Sequence, residues 1–235
     1  MTTLLRSLKR HTPAMLKRSI ARVLFTARKY LLGYKVPTAP HLDEQGALLF
    51  RDVLSRTTRY LEYGTGGSTV LAWDSADIVV AVESDARALT AVHRALSAAT
   101  RRPALSNLIH ADIGLTRGWG APLFTRPTPA RLALWANYAM APWDFFRQHA
   151  IAPDTILIDG RFRVACALAC LLNLEARSRC LLLFDDYGDR PHYGAVEAFA
   201  DLVSTHGRMA VFRKKAAFDA ESCQRVLQTF NRDWR

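Results

Sequence analysis

Residues 60–69, YLEYGTGGST, restrict what this chain can become more than any other stretch. Arg59 to Tyr63 suits a short buried strand. Gly64, Gly66 and Gly67 let the backbone turn sharply and come close to a ligand, and Ser68–Thr69 suit the start of a helix. A dinucleotide fingerprint would need G-x-G-x-x-G, but counting from Gly64 the third glycine falls where Thr69 stands. A nicotinamide-dependent α/β oxidoreductase is therefore the alternative reading, not the leading one.

The chain downstream repeats one pattern, an apolar strand that ends in an acid. Ile78-Val-Val-Ala-Val-Glu83 is a nearly unbroken β-branched run of the kind found in buried parallel strands, and it ends in Glu83. In a nucleoside-binding α/β fold such an acid can accept hydrogen bonds from ribose hydroxyls, because ligands gather at the carboxyl edge of the sheet. Asp85 to Ser97 reads as a helix, and Asn107 to Ala111 as a third strand closing on Asp112, with His110 beside it as a structural residue. Strand four, Asp154 to Gly160, carries Asp159 at its end. A helix from about Val164 to Glu175 leads to strand five, Cys180 to Phe184, followed by Asp185, Asp186 and Tyr187. In the doubly wound order strand four lies between strands one and five, so Asp159, Asp185 and Asp186 should converge beside the glycine turn. Three unpaired acids this close raise one another's pKa, and a divalent cation held by oxygen ligands, Mg2+ best, would remove the conflict. Arg161 and Arg163, just after strand four, could instead neutralise them, or could bind an acidic acceptor bidentately.

Glu62, one residue and then Gly64-Thr65-Gly66 resemble the first motif of the class I S-adenosylmethionine-dependent methyltransferases, with Ser68 where that family usually has its third glycine. The resemblance covers roughly residues 42–215. It implies a Rossmann-like, mostly parallel seven-stranded sheet with helices on both faces, and a cofactor site built from Glu62, Gly64, Thr65, Gly66, Gly67, Ser68, Glu83 and Asp112, with Asp112 toward the adenine. Asp159, Asp185 and Asp186 match the metal-binding positions of the metal-dependent catechol and macrocin O-methyltransferases, and the run FDDYGD resembles the macrocin group in particular. Where those relatives carry a further acid or a lysine as base, this chain has Gly160-Arg161-Phe162-Arg163. Asp185 or Asp186, where not a ligand, and His192 and Tyr187 in the loop after strand five are the candidates for that role, while Asp159 is expected to be catalytic as a metal ligand. A metal bound there would lower the pKa of an acceptor hydroxyl.

Residues 113–150 are rich in Gly, Pro and aromatics, and read as an insertion over the ligand edge. Trp119, Tyr138 and Trp143, with Arg161 and Arg163, are the candidate substrate contacts; the same rings could equally build a small local core. The chain is expected to close with a helix over Tyr193–Ser204, a strand over Arg208–Arg213 and a final strand over Arg225–Phe230.

A length of 235 residues suits one well-buried domain, expected over 41–235, with an appendage over 1–40. The formal charge of +11 belongs mostly to that appendage. Arg6, Lys9, Arg10, Lys17, Arg18, Arg22, Arg28, Lys29 and Lys35 meet no Asp or Glu before Asp43. From Met15 to Leu32 apolar residues recur at helical spacing, which gives a basic amphipathic helix able to lie on an anionic membrane through residues 1–35, act as a targeting presequence, or dock on its own domain or a second subunit in a homodimer. Specific nucleic-acid binding is not expected, since no aromatic-studded basic sheet or recognised helix motif accompanies it. Gly33 to Pro40 reads as a linker.

No apolar stretch reaches the ~18 residues of a spanning helix, and no secretory signal is evident. Cys166, Cys170, Cys180 and Cys223 follow no disulfide or zinc spacing. The expected setting is cytoplasmic, at most peripheral at the inner membrane face. The expected function is S-adenosylmethionine-dependent O-methylation of a small-molecule or glycan hydroxyl; a non-catalytic cofactor-binding or interaction protein is the remaining alternative.

Overall fold

Seven strands form one sheet in the order β3-β2-β1-β4-β5-β7-β6. The computed structural model describes residues 34–235. The helix expected over Met15–Leu32 lies outside the described residues. Strands β1 (Arg59–Tyr63), β2 (Ile78–Glu83), β3 (Leu105–His110), β4 (Thr155–Ile158) and β5 (Leu181–Phe184) run parallel, while β7 (Met209–Lys214) pairs antiparallel with β5, and β6 (Ala200–His206) antiparallel with β7. The doubly wound, Rossmann-like sheet of the sequence reading is the observed fold. Reversal of order at β1 and β4 leaves a crevice at their carboxyl ends.

The strands are apolar on both faces because both are covered. Leu61, Tyr63, Val80, Val82, Ile156, Ile158, Leu182 and Phe184 join one core, under helices α4 (Pro129–Met140), α5 (Trp143–Gln148), α6 (Arg163–Asn173) and α7 (Ala220–Phe230). Tyr60, Val79, Leu157 and Leu183, one position out of phase, join the other with α1 (Glu44–Leu54) and α2 (Gly67–Ser75). α3 (Ala86–Ser97) links β2 to β3 and begins at Asp85, whose carboxylate accepts from the N–H groups of Arg87 and Ala88. Asp43 caps α1 through Gly46 N and also accepts from Arg208 N, which ties that helix to the β6–β7 turn.

Two expectations fail here, and one left open is decided. Residues 193–204 do not form a helix: a 3-10 segment, Pro191–Ala198, gives way to edge strand β6, which turns at Gly207 (φ +58°) into β7. Residues 225–230 belong to α7, not to a strand. Asp219 caps this helix through Ser222 N, and Cys223 and Leu227, four apart, bury one stripe of it. The insertion at 113–150 holds two helices, and Trp135, Tyr138, Trp143, Phe145 and Phe146 are core residues; Trp119 and Phe124 stay exposed.

Helix α6 is buried from Arg163 to Leu171, with Cys166 and Cys170 on its covered surface, as free thiols. Leu168 on this helix is fully buried. Leu168→Ala should lower the unfolding free energy by roughly 2–5 kcal/mol, because the surrounding sheet and helix can only partly collapse onto the void. Urea denaturation would show this as a lower midpoint at unchanged slope.

Candidate functional site

The glycine turn is held from below by a buried carboxylate. Glu62 accepts from Tyr60 Oη at 2.9 Å and from Thr69 Oγ1, and the same Thr69 oxygen accepts from Gly66 N at 2.9 Å. This chain, Glu62 to Thr69 to Gly66, sets the path of the loop. Glu62 is fully buried and is not among the residues lining the cavity at this edge, so in this structure its part is to position the turn. Gly64, at φ +94°, lies against the turn after β4: a Cβ here would stand 2.8 Å from Gly160 Cα. Only glycine lets the ends of β1 and β4 approach this closely.

A cavity of about 770 Å³ opens above the carboxyl ends of β1, β2, β4 and β5. Gly64, Thr65, Gly66, Gly67 and Ser68 line it on one side, with Glu83 beyond. Glu83 Oε2 accepts from Thr65 N at 3.0 Å and Thr65 Oγ1 at 2.9 Å, while Oε1 accepts from Asp85 N at 2.9 Å. Burial raises its pKa, and the bonds from Thr65 and Ser84 oppose that rise. Asp112 stands outside the cavity lining, exposed, with its carboxylate accepting from Gly114 N. The segment read as a linker supplies Tyr34 and Pro37 to the wall, and His41 follows, its ring 5.2 Å from that of Trp119.

Beside the glycine turn, Asp159, Asp185 and Asp186 do converge, but they converge on arginines. Arg163 is almost fully buried. It donates through Nη2 to Asp159 Oδ1 at 2.8 Å, through Nε to Gly160 O at 3.1 Å and through Nη1 to Asp185 O at 2.6 Å, and Nη1 lies 3.2 Å from Asp186 Oδ2. Arg208, from the β6–β7 turn, grips both oxygens of Asp185 at 3.2 and 3.3 Å and lies 3.2 Å from Asp186 Oδ1. Arg190 holds Asp186 Oδ2 at 3.0 Å.

A divalent cation does not fit this set. The Arg163 guanidinium already sits among the three carboxylates, and among the described residues no group of three His, Cys, Asp or Glu is arranged to hold a metal. Of the two arrangements left open from sequence, Mg2+ at Asp159, Asp185 and Asp186 or neutralisation by arginine, the geometry supports the second, with Arg163 and not Arg161 in the cluster. Burial raises the Asp159 pKa; Arg163 opposes the rise and the neighbouring aspartates add to it. Among the described residues its Oδ2 has no hydrogen-bond partner.

Phe162 explains how Arg161 and Arg163 diverge. It adopts a left-handed backbone (φ +53°), fixed because its ring packs between Trp135 and Tyr138 at 5.7 and 5.6 Å. Arg163 enters α6 toward the aspartates, and Arg161 lines the cavity with Tyr138 and Trp119. Trp143 is a core residue bonded to Tyr63 Oη, and so is not a substrate contact. His192 lies off the cavity, 3.8 Å from Asp233, and Tyr187 bonds Glu197. Arg208 and Arg190 were missed from sequence. Arg190 directly follows the FDDYGD run and could have been suspected, whereas Arg208 reaches the site only because a hairpin folds back.

No protein-family model and no curated protein matches the chain. Among solved structures, a methyltransferase-like protein (spo2022) from Silicibacter pomeroyi DSS-3 is 30% identical, with a TM-score of 0.71, over 84% of this chain and 100% of that one. An rRNA methylase from Streptococcus thermophilus is 11% identical, with a TM-score of 0.45, over 74% of this chain and 99% of that one. The N-methyltransferase NodS from Bradyrhizobium japonicum WM9, in complex with S-adenosyl-L-homocysteine, is 11% identical, with a TM-score of 0.41, over 81% and 97%. Among the described residues no helix is long and apolar enough to cross a membrane.

The buried Glu62 makes stability depend on pH. Burial pushes its pKa up to about 7, against the opposing bonds from Thr69, Tyr60 and Ser68. Between the ordinary glutamate pKa and 7 the folded chain holds a proton that the unfolded chain releases, so stability falls as pH rises through this window. The contribution is roughly 3 kcal/mol. Urea midpoints from pH 4.5 to 8 should decline for the wild type and decline less steeply for Glu62→Gln.

Proposed function

We propose that the chain, which belongs to the methyltransferase-like family of the Silicibacter pomeroyi protein, is an S-adenosylmethionine-dependent enzyme that methylates a hydroxyl of a small molecule or glycan. The observation that carries this reading is the juxtaposition of two unlike walls in one cavity: the glycine turn with Glu83 on one side, and Asp159 among arginines on the other.

The first wall fits the cofactor. A Cβ at Gly66 would meet nothing within 4 Å, so the backbone there leaves open a cradle that a side chain would fill. The first N–H groups of α2 have no acceptor within the helix and favour a carboxylate. Glu83 at the end of β2 is the residue suited to ribose hydroxyls, although it must share its oxygens with Thr65 or exchange that bond for the ligand's. Bound there, S-adenosylmethionine supplies an electrophilic methyl group and leaves as S-adenosylhomocysteine.

The second wall supports proton removal. A carboxylate whose pKa is raised by burial takes a proton more readily than an ordinary aspartate, and Asp159 keeps Oδ2 for that purpose while Arg163 fixes Oδ1. The acceptor O–H proton passes to Asp159, and the oxygen lone pair forms the new C–O bond. Arg163, Arg190 and Arg208 are already committed to the aspartates, so they hold the base in place and need no metal to neutralise the cluster.

Calorimetry should detect S-adenosylhomocysteine binding, weakened at least about tenfold in Glu83→Ala, where ion-grade hydrogen bonds are lost. Asp159→Asn should keep that affinity within a few-fold and lower kcat by about 10²–10⁴ in an acceptor screen read by mass spectrometry. Activity should be unchanged by a chelator. Failure of the wild type to bind either S-adenosylmethionine or S-adenosylhomocysteine would sink the assignment.

A further inference from the structure

The cavity contains arginines of two kinds. Arg163, Arg190 and Arg208 each meet an aspartate at ion-pair distance. Arg161 does not: among the described residues its side chain makes no hydrogen bond or ion pair, and its Nε is buried with no partner. Arg117, which lines the same cavity, also has a buried Nε without a partner, and its guanidinium lies over the Trp234 ring at 5.1 Å. The two are connected through the C-terminal segment. Arg235 O accepts from Tyr193 Oη, and Tyr193 is an electrostatic neighbour of Arg161.

Removing a guanidinium from water without a counter-charge is costly, and a neutral hydrogen-bond acceptor offsets it only in part. Arg161 is moreover held there by design of the backbone, since the clamped, left-handed Phe162 aims its predecessor at the cavity. Burial and the nearby Arg163 both work against its charge and lower its pKa, with Tyr138, Tyr193 and Asp159 opposing that drop in part. An incoming carboxylate or phosphate would relieve both, and the guanidinium fork matches either group bidentately.

Resting on the methyltransferase reading, we propose that the acceptor is an anion whose carboxylate or phosphate group is bound by Arg161, which sets its hydroxyl toward Asp159. The two residues bracket Gly160, so one small molecule can engage both. Arg161 is a binding residue in this account and Arg163 a structural one.

The test uses the full chain, with and without saturating S-adenosylhomocysteine, titrated with inorganic phosphate, D-glucuronate, glucose 6-phosphate and neutral glucose. Phosphate and at least one of the sugar anions should bind the loaded wild type in preference to glucose, and the stronger of the two sugars tells carboxylate from phosphate. Arg161→Gln should weaken anion binding at least tenfold, and Arg161→Lys by an intermediate amount. Arg56→Gln, an exposed substitution in the turn after α1, should leave anion binding unchanged and so exclude a general effect of net charge. Arg161→Gln should melt no lower than the wild type, because it removes an unpaired charge and breaks no bond; a variant that melts much lower is set aside for Arg161→Lys.

Equal anion affinity in wild type and both Arg161 variants, or no anion binding by the wild type, overturns the proposal. So does a loss of S-adenosylhomocysteine affinity in Arg161→Gln with phosphate affinity intact, which would assign the guanidinium to the cofactor's carboxylate. If S-adenosylhomocysteine fails to bind at all, the methyltransferase reading falls, and the titrations of unloaded protein still decide whether Arg161 is an anion site.

Discussion

The Arg163 guanidinium is the point at which the ligand edge of the sheet is tied together. It joins the turn after β4, through Asp159 and Gly160, to the end of β5, through Asp185 and Asp186. Arg208 extends the same network to the β6–β7 hairpin and, by donating to His41 O at 2.7 Å, to the segment that precedes α1. Elements far apart in sequence thus meet around a few charges held out of water. Such a network is worth little against an apolar core of equal volume, but removing one partner from a buried pair costs about 3–5 kcal/mol because the others are left uncompensated. What it provides is placement: a carboxylate fixed by one oxygen and open at the other.

Backbone strain gathers at the same edge. Phe162, Asp186 and Trp119 all adopt positive φ, and all lie next to or within the cavity lining. Each such residue costs about 1–3 kcal/mol and persists only where the surroundings over-determine it. For Phe162 the surroundings are two aromatic rings, and for Asp186 they are three guanidiniums. The core packing of α4, remote in appearance from any chemistry, therefore decides where Arg161 and Arg163 point.

Much of this was legible from residues alone, and the limits have physical causes. β1, β2, β4 and β5 are covered on both faces, so their apolar runs are continuous and their terminal acids stand out; the sheet order then brings Asp159, Asp185 and Asp186 together by rule. β6 was misread because it is an edge strand with Leu202 and Val203 half exposed, which blurs a period of two into something that passes for a helix. The turn at Gly207 was the better signal. Residues 225–230 are rich in β-formers, and only the distant cap Asp219 discloses their helix. The partner of an acid cluster is harder still to read, since Arg208 arrives through tertiary folding, and sequence could not choose between a cation and a guanidinium. The aromatics of 113–150 divided as composition could not foresee, with Trp143 in the core and Trp119 at the cavity.

The division of arginines also bears on how the site could tell acceptors apart. Arg163, Arg190 and Arg208 are neutralised before any ligand arrives, so they add rigidity but little net field. Among the described residues, the cavity-lining guanidiniums without an ion pair to a carboxylate are those of Arg161 and Arg117, beside the aromatic surfaces of Tyr138 and Trp234. In the proposed anion site, a neutral molecule closing over this wall would take the Arg161 guanidinium further out of water with no charge to meet it, whereas an anion would offset that cost. Because buried polar groups penalise the ligand that fails to satisfy them more than they reward the one that does, the selectivity proposed for this site would come chiefly from rejecting uncharged hydroxyl compounds. Asp159 stands at the junction of the two electrostatic regimes: its Oδ1 is bound to the neutralised cluster, and its Oδ2 is open to the side that Arg161 occupies.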